Sequence, residues 1–220
     1  MLSVPVFREA PRTILVAPEG ADFPGSDEPC LYTVSIDLTG MRDDLVLAGY
    51  HWAKEHFREA TALVGDGPLV ERTAQVTGTP VERAVARADE LAVRFDSVLL
   101  VSELSRSADF EQALRDVREA RRVTPRLSRA IRADARTYVA RVRRRGSLAV
   151  AAKEAMALSV EYIEIELATY LCLARRGLLV DVYVGEELPV LKKFIVGKFQ
   201  GILSPLERRI FLGLLPCKDS

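Results

Sequence analysis

Two short apolar strands joined by one amphipathic helix constrain this chain more than any other feature. Residues 31–36 (LYTVSI) are β-branched and apolar, the composition of a buried strand. A polar turn over 37–42 follows, then a helix predicted over 43–58. That helix has Asp43 and Asp44 in its first turn and Leu45, Ala48 and Trp52 on one face. Residues 61–64 (TALV) form the next strand and end at Gly65-Asp66-Gly67-Pro68. A helix of this length between two strands suits a parallel crossover.

The remainder continues the alternation. Residues 12–17 (RTILVA) read as an initial strand, and 20–29, rich in Gly, Pro and Asp, as a loop. A helix is expected over 80–95 with Pro80 near its start, and a strand over 97–101 (SVLLV). Two helices, 109–122 and 126–144, are separated at Thr124-Pro125, with Gly146 suited to close the second. Residues 147–175 read as helical in two pieces, and 178–184 (LLVDVYV) as another buried strand. The tail from residue 186 reads as a helix and then structure that the pattern does not define. Strands alternating with helices indicate an α/β fold, Rossmann-like, with a mainly parallel sheet, over a single domain spanning 1–220.

Composition excludes several classes. At 49% hydrophobic residues the chain can bury a core. It has no apolar run long enough for a membrane span, and its opening residues lack a signal-type run, so a cytoplasmic protein is expected. Cys30, Cys172 and Cys217 include no CxxC pair, which argues against a zinc site or a disulfide framework. His51 and His56 have no metal partner at ligand spacing. Walker A, GxGxxG and HExxH patterns are absent, so neither metal nor cofactor is expected.

Net charge is zero, from 31 basic and 31 acidic residues, yet residues 115–145 hold twelve arginines against three acids. Arg115, Arg118 and Arg122, then Arg129, Arg132 and Arg136, recur at helical spacing, so several guanidinium groups share a face and could neutralise successive phosphates. Few aromatics accompany them, which points to backbone contact rather than base reading. Ser35 is predicted near the C-terminal end of a central strand, just before a helix, where sheets of this kind bind ligands. Position alone favours a core serine over a nucleophile. Tyr162 and Glu166 lie four residues apart on a predicted helix and share a face. A phenol beside a carboxylate can hold an ammonium group and relay its protons; spacing alone favours a surface glutamate beside a half-buried tyrosine.

Together these residues resemble the cyclodipeptide synthases, enzymes whose catalytic domain is similar to that of class I tyrosyl- and tryptophanyl-tRNA synthetases without the ATP site. The family's first motif runs from a histidine through aliphatic residues and a glycine to a nucleophilic serine. Pro29-Cys30-Leu31-Tyr32-Thr33-Val34-Ser35 stands in its place, with Thr33 for the glycine and Pro29 for the histidine. An ungapped run then reaches Trp52-Ala53, Phe57 and Asp66. The second motif, a tyrosine with a glutamate four residues on, has two candidates. Tyr183-Val184-Gly185-Glu186-Glu187-Leu188-Pro189 fits its written pattern completely, and Tyr162 to Ala168 fits imperfectly. The family motif lies on a helix, which favours Tyr162 and Glu166. Tyr183 then suits the family's further active-site tyrosine at the end of a strand. Leu38 argues against the family's Asn-Tyr-Gln subgroup, and Val184 stands where the other subgroup has proline.

The resemblance implies that Ser35 takes an aminoacyl group from a first aminoacyl-tRNA. Tyr162 and Glu166 would hold its α-ammonium, and Tyr183 would position the serine or the bound group. A second aminoacyl-tRNA would yield a dipeptidyl-enzyme, and intramolecular aminolysis would release a diketopiperazine. Thr33, Leu38, Asp66 and Val184 fall where contacts to the aminoacyl group are expected. The arginine helices would grip tRNA, and a monomer is implied. Transfer of one aminoacyl group to a non-tRNA amine, or tRNA binding without catalysis, are the alternatives.

Overall fold

The structure, a computed structural model, describes residues 6–9, 12–19, 27–34, 43–184 and 189–216. It opens with β1 (Val6–Glu9), β2 (Arg12–Glu19) and β3 (Pro29–Val34); α1 (Asp43–His56) then crosses to β4 (Glu59–Val64). α2 (Pro68–Thr77), α3 (Val81–Ala92) and β5 (Val98–Leu100) follow, then α4 (Val101–Leu104), α5 (Ala108–Val123), α6 (Pro125–Arg144) and α7 (Ala152–Arg175). The chain ends with β6 (Val180–Val184), α8 (Pro189–Ile195), a 3-10 turn (Ser204–Arg208) and β7 (Ile210–Pro216).

Among the described residues seven strands form one sheet in the order β1-β2-β7-β6-β3-β4-β5. β7, β6, β3, β4 and β5 are parallel, and β1 and β2 add an antiparallel edge. Numbered along the chain, the parallel strands lie third, second, first, fourth, fifth. That is the doubly wound arrangement, in which the order reverses beside the first strand. The fold is α/β and Rossmann-like, as the sequence pattern implies.

Alternation along the strands sorts their side chains between two cores. Cys30, Tyr32 and Val34 of β3 and Val180, Val182 and Val184 of β6 pack with α1 and α3. Leu31 joins the opposite core, built on α5, α6, α7 and α8. α1 seats closely because position 49 has no side chain: a Cβ there would lie 2.5 Å from Tyr32 Oη and 2.8 Å from Val184 Cγ2. Tyr32 Oη instead donates to the Val46 carbonyl at 2.7 Å, so a buried hydroxyl is satisfied within the helix packed on it.

Several elements differ from expectation for identifiable reasons. α2 lies where the sequence pattern defines no element; Pro68 is at its first turn, where a missing N–H costs nothing. Val101 begins α4 instead of ending the strand before it. Residues 152–175 form one helix rather than two pieces. Nearly every residue of α7 from Ile163 to Ala174 is buried, so its apolar pattern loses the one-sided period that marks a surface helix. The undefined tail contains β7, which is held between β6 and β2. The break at Thr124-Pro125 is present: Thr124 is extended (φ −116°, ψ 96°), as a residue before proline prefers, and Pro125 starts α6.

Candidate active site at the β3–β6 switch point

In open parallel sheets ligands settle beyond the carboxyl ends of the strands where the order reverses. Here that point lies between β3 and β6, and burial marks the same place. From Cys30 to Val34 and from Val180 to Val184 every residue is buried except Thr33 and Tyr183. These two are register partners on neighbouring strands. Strands flanked on both edges expose side chains only where the covering helices leave an opening.

Thr33 is committed beneath that opening. Its hydroxyl donates to Asp181 Oδ1 at 2.6 Å, and the Tyr170 hydroxyl of α7 donates to Thr33 Oγ1 at 3.4 Å. Asp181 Oδ2 lies 3.3 Å from Arg209 Nη2, with both side chains 1% exposed. Arg209 also donates to the Leu178 carbonyl at 3.2 Å and stacks its guanidinium 4.5 Å from the centre of the Tyr170 ring. Burial raises Asp181 above the usual carboxylate range against the opposing pull of Arg209 and the Thr33 and Tyr170 hydroxyls. Burial also raises Tyr170.

Sequence reasoning missed Asp181, Arg209 and Tyr170. Asp181 leaves a signal, since a carboxylate inside the apolar run LLVDVYV can be buried only with partners. Tyr170 is two further helical turns along from Tyr162 on the same face as Glu166. Arg209 carries no local signal.

Glu166 is half-buried, but its Oε2 is sealed from solvent with no hydrogen-bond partner among the described residues. Burial, then the charges of Asp181 and of Asp134 on α6, raises its pKa to about 8. Asp134 is itself raised by burial, and its carboxylate accepts the Val190 N–H at 2.7 Å, capping α8. Tyr162, one turn before Glu166, is half-buried against the core shared by α5, α6 and α7. Tyr162 to Ala168 lie within a helix and Tyr183 within a strand, the element types expected of each.

The other expected residues fall in different places. Ser35 and Leu38 lie outside the described residues. Val184 is buried on the opposite face of β6 from Tyr183, against α1. Asp66, at the end of β4, accepts both the Ser102 N–H (2.8 Å) and the Ser102 hydroxyl. It thereby caps α4 from another loop, since the helix's own N-cap, Leu100, has no acceptor side chain. Gly67 (φ +52°) permits this approach: a Cβ there would lie 2.7 Å from Ser102 Cβ.

The arginine block divides in two. α5 carries four arginines and four acids, and its arginines are engaged. Arg118 and Arg121 grip buried Glu164 of α7 at 3.3 and 2.7 Å, Arg122 pairs with Glu119, and Arg115 bonds Gln112. α6 carries seven arginines against one acid, Asp134. Arg129, Arg132 and Arg136 are exposed on it, opposite buried Leu127, Ile131, Ala135 and Val139, with no ion pair among the described residues. Of the two helices, α6 therefore presents the less engaged positive surface.

Solved structures that share this fold include cyclodipeptide synthases. One from Fluoribacter dumoffii superposes with a TM-score of 0.75 at 15% identity, over 93% of this chain and 100% of that one. One from Bacillus thermoamylovorans gives 0.68 at 12% identity, over 93% and 97%. A Mycobacterium tuberculosis protein, whose structure relates cyclodipeptide synthetases to type I tRNA synthetases, gives 0.62 at 14% identity, over 94% of each chain. The sequence itself matches no family model and no curated protein. The chain thus has the cyclodipeptide synthase fold. Among the described residues no helix is long and apolar enough to cross a membrane, and no cluster of His, Cys, Asp and Glu is arranged to hold a metal ion.

Proposed function

We propose that this chain is a tRNA-dependent cyclodipeptide synthase, joining two aminoacyl groups from aminoacyl-tRNAs through an acyl-enzyme on Ser35. The observation that carries this reading is the opening at the Thr33–Tyr183 pair, together with the sealed, unpartnered carboxyl oxygen of Glu166 on α7, whose ionisation burial and the Asp181 charge oppose. The shared fold supports it.

An aminoacyl ester is already activated, so no ATP is required. Ser35 Oγ attacks the ester carbonyl, the bond to the tRNA ribose oxygen breaks, and that oxygen takes the serine proton. Glu166 and Tyr162 hold the α-ammonium of the bound residue, and Tyr183 positions the acyl group. The bound ammonium must lose a proton before its nitrogen can attack the ester of a second aminoacyl-tRNA. Glu166, ionised against the bound ammonium, is placed to take that proton. The freed nitrogen attacks the second ester, the bond to that tRNA's ribose oxygen breaks, and the oxygen takes a proton as the tRNA leaves a dipeptidyl-enzyme; the second residue's amine then attacks the Ser35 ester. The serine is released with its proton restored, and the diketopiperazine leaves. Arg129, Arg132 and Arg136 on α6 contact the tRNA backbone, while the paired arginines of α5 hold the scaffold.

Expression in a bacterial host followed by mass spectrometry of the culture tests this reading. A diketopiperazine made by the natural sequence and lost in Ser35→Ala is expected. Its absence from the natural sequence, with no aminoacyl group moved to another amine, overturns it.

A further inference from the structure

Four polar side chains meet beneath the opening, yet they turn their polar atoms toward one another rather than toward it. Thr33, half-buried at the opening, gives its hydroxyl to Asp181 at 2.6 Å, and its oxygen accepts from Tyr170 at 3.4 Å. The first contact needs no charge on Asp181: at that separation both oxygens are engaged whichever carries the proton. Asp181 also meets Arg209, which donates to the Leu178 carbonyl and lies over the Tyr170 ring. Asp181, Arg209 and Tyr170 are all buried, so their polar atoms are out of reach of an entering molecule. Beyond its Cβ, Thr33 has only one oxygen and one methyl. With the oxygen taken by two buried partners, the methyl is what remains for the opening. Tyr183, the other half-buried strand residue here, is assigned above to the acyl group, and Glu166 to its ammonium.

We propose that Thr33 is a specificity-determining residue, held methyl-outward by Asp181, Arg209 and Tyr170, so that the site takes an aminoacyl group with an aliphatic side chain. The role rests on the acyl-enzyme reading above: Ser35 follows β3 directly, so a group esterified to it starts two residues along the chain from Thr33. A polar side chain brought against the methyl would lose its water and find no partner, since the hydrogen-bonding atoms of the cluster are already used or buried. An aliphatic side chain loses nothing there. Valine and threonine side chains share a shape and differ by a methyl for a hydroxyl, so they separate polarity from size. An apolar pocket distinguishes such isosteres by up to about a hundredfold. Asp181 and Arg209 touch no substrate in this account. They act through Thr33, as positioning residues that keep its hydroxyl turned away.

The test is an NMR titration of the full chain, without tRNA, with valinamide and with threoninamide, which carry the α-ammonium and the side chain of the two residues. The natural sequence is expected to bind valinamide about tenfold more tightly, or better. Asp181→Val with Arg209→Met replaces the buried pair by apolar groups and frees the Thr33 hydroxyl, so the preference should fall severalfold. Adding Thr33→Val to those two changes removes the freed hydroxyl and should restore the preference, which a merely structural disturbance would not do. If the double variant does not fold, Thr33→Asn places an uncommitted polar group at the opening and should lower the preference likewise. Equal binding of the two amides by the natural sequence, binding of neither, or a preference unmoved in the folded double variant or in Thr33→Asn overturns the proposal. Neither amide has to react with Ser35. A chain that forms no acyl-enzyme therefore fails the functional reading, while the ratio of the two amides still decides this one.

Discussion

Replacing Glu166 by glutamine should flatten the dependence of stability on pH, and the size of the effect follows from its surroundings. The carboxyl has an ordinary pKa of 4.5, the value carried by the unfolded chain, and a folded value of about 8. Between the two, the unfolded chain has lost the proton and the folded chain retains it, so stability falls as pH rises. The slope is about 1.4 kcal/mol per pH unit, and by pH 7 the accumulated cost relative to acid conditions is about 3 kcal/mol. Below pH 4.5 both states are protonated and the contribution is absent; above about pH 8 both are ionised and the cost levels off. Glutamine cannot ionise, so its variant lacks this slope. Urea unfolding at pH 5, 6 and 7 reads it directly. The difference in unfolding free energy, natural sequence minus Glu166→Gln, should fall by about 2–3 kcal/mol over that range. A difference that stays flat would refute the placement of Glu166 among Asp181, Asp134 and apolar α7.

The two arginine helices should separate cleanly. Alanine at Arg129, Arg132 and Arg136 should leave thermal stability within about 0.5 kcal/mol, weaken tRNA binding, and make the plot of log affinity against log salt shallower by about 2–3; an unchanged slope in filter-binding assays would exclude α6 as the contact. Arg121→Ala should instead cost about 1–3 kcal/mol in urea unfolding, because Glu164 is 3% exposed and loses a 2.7 Å partner. Asp66→Ala should cost about 1–2 kcal/mol by removing the cap of α4, and a variant as stable as the natural sequence would contradict a capping role. Gly49→Ala should destabilise by about 1–3 kcal/mol through its clash with Tyr32 and Val184, and loss of near-ultraviolet circular dichroism on milder heating is the readout.

Local pattern exposed the parts of this fold that are stabilised locally. β3, α1 and β4 follow one another with apolar stripes facing their neighbours, so the first crossover was legible in the sequence. α7 was not legible as one helix, because burial on all sides erases the period that distinguishes a helix with a wet face. β7 pairs with β6 and with β2, nearly the full chain length away, and nothing within IFLGLLP announces those partners. At the site, Tyr162, Glu166 and Tyr183 stood out through spacing and resemblance. Asp181 was visible as a charge within an apolar strand, whereas its partner Arg209 was hidden because the contact is made across the fold. The arginine block looked uniform in sequence, since Glu164, the acid that engages Arg118 and Arg121, lies more than forty residues further on.

Transfer of an aminoacyl group from tRNA to Ser35 is the step on which this account depends, and trapping the acyl-enzyme tests it most directly. The chain is mixed with tRNA charged with radiolabelled amino acids, quenched in acid and examined by peptide mass spectrometry. Label bound as an ester on the peptide containing Ser35, absent from Ser35→Ala and depleted when a second charged tRNA is added, is the predicted result. Label that never becomes covalently attached, or that attaches equally in Ser35→Ala, would contradict it.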